Sequence, residues 1–234
     1  MADKAHSPMG ERRQPSRSDV LAHPRLTLIE HPLADTLLAI IRDNRSGPAL
    51  FGEAASKLAT FLLWEACRSF QTAPDAVLGF SGAPVEVRRL ETRPAGIVIL
   101  RAGEVFANPF RAVFPDAPLY HLGIARNEET LAHHVYSDNV PNLSSTTDRV
   151  LILDPMLATG GSIAVTIERV RHGFNGTIDV VALVSAPLGV QVVLQADERT
   201  RIVTAALDER LDGNGYILPG LGDAGDRFFG TVGN

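Results

Sequence analysis

The chain has 234 residues, a formal net charge of −5 and one cysteine. With a sequence pI near 5.8 there is no broad basic excess to displace counterions, which argues against a nucleic-acid partner. A lone Cys67 excludes an internal disulfide and fits a reducing cytoplasm, and no apolar run is long enough to cross a bilayer, so no membrane partner is expected.

Residues 1–26 scatter Ser7, Pro8, Gly10, Pro15, Ser16 and Ser18 among charged residues, and read as a disordered tail. Arg12, Arg13, Arg17 and Arg25 could belong to a targeting segment, but Asp3, Glu11 and Asp19 and the lack of an apolar core count against it. Residues 27–234 carry no interior Pro/Gly/Ser-rich linker and read as a single domain with a small accessory flap. Leu33, Leu37, Leu38 and Ile41 place an apolar face on a helix over Leu33–Arg42. Gly47 and Pro48 separate it from a second helix over Ala49–Phe70, whose buried stripe is Leu58, Leu62, Leu63 and Cys67, with Trp64 packed. Pro84–Leu90 alternates Val85 and Val87 with Glu86 and Arg88, as in a half-exposed strand near an edge. Strands over 96–100, 118–124, 149–153, 179–184 and 201–206 then alternate with helices or loops, the pattern of an α/β parallel sheet.

Four segments carry chemistry. Val150–Ile163 reads VLILDPMLATGGSI: a strand apolar on both faces, an acid at its carboxyl end, then a loop of small residues opening a helix. Ala158, Thr159, Gly160, Gly161 and Ser162 let consecutive N–H groups approach a phosphate at a helix start. Asp154, an acceptor-only carboxylate, suits ribose hydroxyls instead. The lysine of a P-loop and the GxGxxG of a dinucleotide fold are both missing. GIVILRAG and ARNEETL each deliver an arginine, Arg101 and Arg126, just after a strand, where ligands of open α/β sheets bind and a guanidinium fork matches pyrophosphate oxygens. Gly215–Thr231 reads GYILPGLGDAGDRFFGT, whose glycines let main-chain N–H and C=O groups come close to a small planar ligand.

These four segments resemble the type I phosphoribosyltransferases, and the single-acid form DPMLATGGS together with GYILPGLGDAGDR is similar to the uracil phosphoribosyltransferase branch. The resemblance runs from about Glu30 to Thr231. It implies an α/β fold with a parallel β-sheet flanked by helices, a small hood, a β-arm over about 127–142 and a uracil-binding segment over about 208–231. The implied activity is transfer of phosphoribose from 5-phosphoribosyl 1-diphosphate (PRPP) to uracil, giving UMP and diphosphate in pyrimidine salvage. Mg²⁺ is then carried by the substrate, with no direct protein ligand. PRPP falls to Arg101, Arg126, Asp154, Pro155, Met156, Leu157, Ala158, Thr159, Gly160, Gly161, Ser162 and Asp223, and uracil to Ile217, Gly222, Asp223 and Ala224. Asp223, Arg126 and Asp154 are the implied catalytic residues, and the implied assembly is a homodimer or higher homo-oligomer.

The chain departs from the family pattern twice. Glu104, Val105 and Phe106 replace a Leu-Gly-Met-like stretch after ILRAG. AHHVYSDNVP replaces a proline-rich arm and puts Asn139 where a lysine would fall. His133 and His134 in that arm are expected to be solvent-exposed rather than metal ligands. Altered loops leave a second reading, a non-catalytic nucleotide or PRPP-binding sensor of the same fold. The presence of Arg101, Arg126, Asp154, Thr159 and Asp223 favours the enzyme.

Overall fold

The computed structural model describes residues 14–126, 133–143 and 147–231. A short helix α1 (Arg17–Leu21) and strand β1 (Leu26–Leu28) lead into helices α2 (Pro32–Arg42) and α3 (Pro48–Ala66), then a hairpin of β2 (Thr72–Leu78) and β3 (Pro84–Leu90). There follow β4 (Pro94–Leu100), α4 (Ala107–Val113), β5 (Leu119–Arg126), β6 (His133–Asp138), β7 (Arg149–Leu153), β8 (Met156–Leu157) and α5 (Gly161–Arg171). The chain ends with β9 (Thr177–Ser185), α6 (Pro187–Ala196), β10 (Arg201–Leu207), β11 (Arg210–Leu211), β12 (Ile217–Leu218) and α7 (Ala224–Phe229).

The main sheet has the order β1-β10-β9-β7-β4-β5-β6, with β8 added to β9. It is parallel except where β6 folds back antiparallel on β5 to make the arm. Both faces are covered, which is why its strands are continuous apolar runs. Val98, Leu151, Leu153, Val181 and Val203 pack against α2, α3 and α4 on one face. Ile97, Ile152, Val180 and Ile202 pack against α5 and α6 on the other. Leaving β4, the chain turns outward to β5; leaving β7, it turns the opposite way to β9. The carboxyl ends of β4 and β7 therefore flank the topological switch point, where such sheets open a crevice.

The five expected sheet strands are all present, but five details differ. The tail reading fails from Gln14 onward: Val20 is buried, and the Arg25 guanidinium donates to the carbonyls of Leu194, Asp197 and Thr200. Leu33 is 67% exposed, because the buried stripe of α2 runs through Ala34, Leu38 and Ile41. Trp64 is 68% exposed; it sits two residues from both Leu62 and Ala66, about 200° around α3, on the side opposite the core. Pro84–Leu90 is no edge of the main sheet but half of a separate exposed hairpin with β2. Helix α3 stops at Ala66 and a 3-10 turn carries Cys67, which is half-buried; desolvation pushes its thiol up to about 12.

Candidate active site

The crevice between β4 and β7 holds a cavity of about 770 Å³. Val98 pairs with Leu153 at the end of the β4–β7 ladder, so the next residues outward, Ile99 and Asp154, both line it. The Asp154 main chain stays tied to the sheet, its N–H donating to the Val181 carbonyl at 3.3 Å. Its carboxylate accepts from the Met156 N–H at 3.3 Å. Burial pushes this carboxyl up to about 7, against the lowering effect of the Met156 bond.

The loop that follows builds a cup. Pro155 and Leu157 are buried and serve as wall: the Pro155 carbonyl accepts from Leu183 and Val184, and that of Leu157 from Ala186. Met156, Ala158, Thr159 and Ser162 line the cavity. Gly160 is the N-cap of α5 at φ 80°, and a Cβ there would lie 2.9 Å from the Gly189 carbonyl oxygen, so both backbone angle and helix packing demand glycine. The α5 N-terminus and its orphan N–H groups thus open where a phosphate would sit.

Two more walls complete the cavity. Arg101 and Ala102 enter from the end of β4, and Ile124 from β5. Gly213, Asn214, Gly215, Tyr216 and Ile217 form an overhanging hood, with Asp223 beside it. Asp212 holds that hood: its Oδ1 accepts from the N–H groups of Asn214 and Tyr216, each at 2.9 Å, and its carbonyl from Gly215 at 3.1 Å. Asp223 caps α7, accepting from the Asp226 N–H at 2.9 Å. Segments some sixty residues apart in sequence, the Thr159 loop and the Tyr216–Asp223 turn, therefore share one cavity.

A profile of the uracil phosphoribosyltransferase family matches residues 28–231. The chain is 39% identical over 211 residues to a uracil phosphoribosyltransferase of Kineococcus radiotolerans, covering 89% of this chain and all of that one. It belongs to the uracil phosphoribosyltransferase family. A uracil phosphoribosyltransferase of Thermus thermophilus is 37% identical, over 88% of this chain and 99% of that one. Among solved structures, a protein of Aquifex aeolicus aligns with TM-score 0.81 at 32% identity, over 87% of this chain and 97% of that one.

Set against the residues that the uracil phosphoribosyltransferase resemblance implies, the cavity divides them. Arg101, Asp154, Met156, Ala158, Thr159, Ser162, Ile217 and Asp223 line it. Gly222 instead lines a second cavity behind the turn, and Ala224 is buried in the core beneath it. Neither reaches a base with side-chain atoms, so any contact they make is through main chain. Arg126 ends β5, beside the cavity-lining Ile124, and its side chain lies outside the described residues. The arm's residues 127–132 are outside them too, while His134 is exposed as expected.

The departure after Arg101 is absorbed by packing. Val105 and Phe106 are buried in the α3 core, and Glu104 pairs with His121 of β5 at 3.3 Å. Asn139, in the lysine's place, is exposed and donates its N–H to the His121 carbonyl. One participant escaped the sequence reading, Asp226. Its Oδ1 accepts from Arg101 Nη2 at 2.8 Å and from the Thr231 hydroxyl at 2.7 Å, and these bonds, Thr231 first, hold its carboxyl below the usual range. The signal was present in GDAGD: two acids one helical turn apart, of which only the first was given a role.

Proposed function

We propose that this chain transfers phosphoribose from PRPP to uracil by the following division of labour. The N1–C1′ bond forms as the C1′–oxygen bond to diphosphate breaks, and the uracil N1 proton leaves to solvent. The anomeric carbon gains oxocarbenium character, so the protein's work is to hold nucleophile and leaving group in line and stabilise charge on both. The 5-phosphate rests on the α5 N-terminus over Ala158–Ser162. Asp154 accepts from ribose hydroxyls, and Asp223 faces the sugar from the opposite wall. Arg101 and Arg126 neutralise the departing diphosphate. Uracil sits under the hood and is read by main-chain atoms of the Ile217–Ala224 turn.

Mg²⁺ fits the donor set. Two carboxylates, Asp154 and Asp223, line the cavity, and among the described residues no group of three or more His, Cys, Asp or Glu could cage a metal. That suits an ion that keeps its waters and arrives on substrate phosphates. When bound it supplies charge neutralisation at the diphosphate.

The observation that carries this reading is the single cavity shared by the Thr159 loop, Arg101 and the Tyr216–Asp223 turn. Purified protein mixed with Mg²⁺, PRPP and labelled uracil tests it: UMP and diphosphate are the expected products. PRPP binding without UMP formation would establish the sensor instead. A homo-oligomeric assembly belongs to the same proposal, supported by exposed Leu78, Phe80, Val85 and Leu90 on the β2–β3 hairpin. Sedimentation at several concentrations checks it, and a monomer throughout would reject it. No helix among the described residues is long and apolar enough to cross a membrane. A cytoplasmic location is proposed, supported by the free Cys67 thiol.

A further inference from the structure

If main-chain atoms read the base, its affinity depends on whatever fixes that main chain. We propose that Arg42, Asp208 and Arg227, which stand behind the Ile217–Asp223 turn rather than in the substrate cavity, are positioning residues that set the turn's shape and so the enzyme's grip on the pyrimidine. The proposal rests on the uracil phosphoribosyltransferase reading of the cavity.

Three observations carry it. First, Arg42, the last residue of α2, grips Asp208 with both arms of its fork, Nη1 to Oδ2 at 2.9 Å and Nη2 to Oδ1 at 2.6 Å. The same Nη1 donates to the Gly220 carbonyl at 2.8 Å, and the Gly220 N–H donates back to Asp208 Oδ2 at 2.8 Å. Both polar groups of Gly220 are thus held by one ion pair. Asp208 is in turn fixed to the sheet, its N–H donating to the Ser185 carbonyl at the end of β9.

Second, Arg227 of α7 donates to three carbonyls: Leu221 at 2.7 Å, Asp43 at 2.7 Å, and Ile41. Its guanidinium lies over the Phe51 ring, 4.4 Å from the centroid. Two arginines therefore join the carboxyl end of α2 to two successive carbonyls of the turn, Gly220 and Leu221. A planar five-donor fork can do this; an ammonium cannot reach the same set. A cation at a helix carboxyl end is also well placed.

Third, the turn is folded tightly and has open space behind it. Gly220 takes φ 63°, and a Cβ there would fall 2.0 Å from the Ile217 carbonyl oxygen, so the chain is folded tightly back on the residue that faces the cavity. The space behind Gly220 and Gly222 is a second cavity of about 510 Å³, which gives the turn room to collapse if the arginines let go. With side-chain exposures of 25% and 5%, the Arg42–Asp208 pair is largely desolvated. Such pairs are weak evidence for stability, and here the pair's bonds to both polar groups of Gly220 are the basis for assigning it a geometric role.

The test uses Arg227→Lys and the double variant Arg42→Met with Asp208→Asn, which removes both charges and keeps an acceptor for the Gly220 N–H. Steady-state kinetics would be run with each substrate varied in turn, alongside calorimetric binding of Mg²⁺–PRPP and urea unfolding. Both variants are expected to raise the KM for uracil at least tenfold while the Kd for Mg²⁺–PRPP stays within about twofold. A lower kcat with unchanged uracil KM would mark the residues as merely structural and overturn the proposal. Equal losses for both substrates would overturn it as well, because the turn would then not be held independently of the ribose-phosphate site. Should the double variant not fold, Arg227→Lys decides alone, since it keeps the charge. An unsubstituted protein that makes no UMP would reject the functional reading itself, a result visible before any variant is measured.

Discussion

Asp154 is expected to cost the protein stability in proportion to its ionisation. Burial pushes its carboxyl from the ordinary 3.8 up to about 7. A raised acid binds its proton more tightly in the folded state. Below pH 3.8 both states are protonated and the group has no effect on folding. Between about 4 and 7 the unfolded chain ionises while the folded one does not, and folding weakens by about 1.4 kcal/mol per pH unit. Above about 7 both are ionised and the penalty levels off on the order of 4 kcal/mol. Asp154→Asn abolishes the titration and keeps an acceptor for the Met156 N–H. Urea unfolding of parent and variant at pH 5 and pH 8 isolates the effect, because every other titrating group is common to both and any fixed effect of the amide cancels. The variant's relative stability should rise by about 3 kcal/mol between the two pH values. A difference that does not change with pH would refute the reasoning and place the carboxyl in a solvated setting. The same variant is expected to lose turnover, so that the unfavourable burial of the acid would be the structural cost of the ribose-acceptor role proposed for it.

Asp223→Ala should lower kcat at least tenfold and destabilise by about 1 kcal/mol, since it also removes the α7 cap; Asp223→Asn keeps the cap, and parent-like kcat in that variant would remove Asp223 from catalysis. Arg101→Ala and Arg126→Ala should each weaken Mg²⁺–PRPP binding roughly ten- to a hundredfold by calorimetry, the strength of a charge-assisted contact; an unchanged Kd would return that arginine to the surface. Asp226→Asn removes the negative charge that competes for Arg101 while leaving an amide acceptor, and should tighten PRPP about two- to fivefold, whereas weaker binding would make Asp226 a support for Arg101 instead of its competitor. Gly160→Ala forces a Cβ into the left-handed region and against Gly189, so a loss of at least about 1 to 2 kcal/mol in unfolding free energy and a raised PRPP Kd should appear together.

The sheet was legible because burial on both faces leaves an unmistakable trace: VLIL and GIVIL admit few readings once an acid or an arginine follows immediately. The glycine cup at the start of α5 was legible for a related reason, as TGG combines backbone freedom and small size, the properties that the proposed anion site needs. What failed was mostly amphipathic phase. Leu33 and Trp64 are large and apolar, but α2 and α3 bury alanines in their place, and an alanine-rich stripe is nearly silent in composition. Strand β2 was invisible because Pro74 interrupts it and it pairs with β3 alone, so neither a period nor a ladder partner in the main sheet marks it.

The deeper gap lies in the Ile217–Ala224 turn, proposed above to read the base. The glycines of GYILPGLGDAGDR permit close main-chain approach to a ligand, but a backbone that reads a ligand cannot name what holds it in place. Its supports come from elsewhere: Arg42 reads as the basic last turn of a helix, Asp208 as an acid after a strand, Arg227 as one more charge on a short terminal helix. Each has an ordinary local explanation, and only coordinates show all three converging on Gly220 and Leu221. Where side chains recognise a substrate, the determinants lie in the motif; where the backbone does, they move to the residues that pin it, and these are the positions at which uracil affinity should be altered without touching the ribose phosphate.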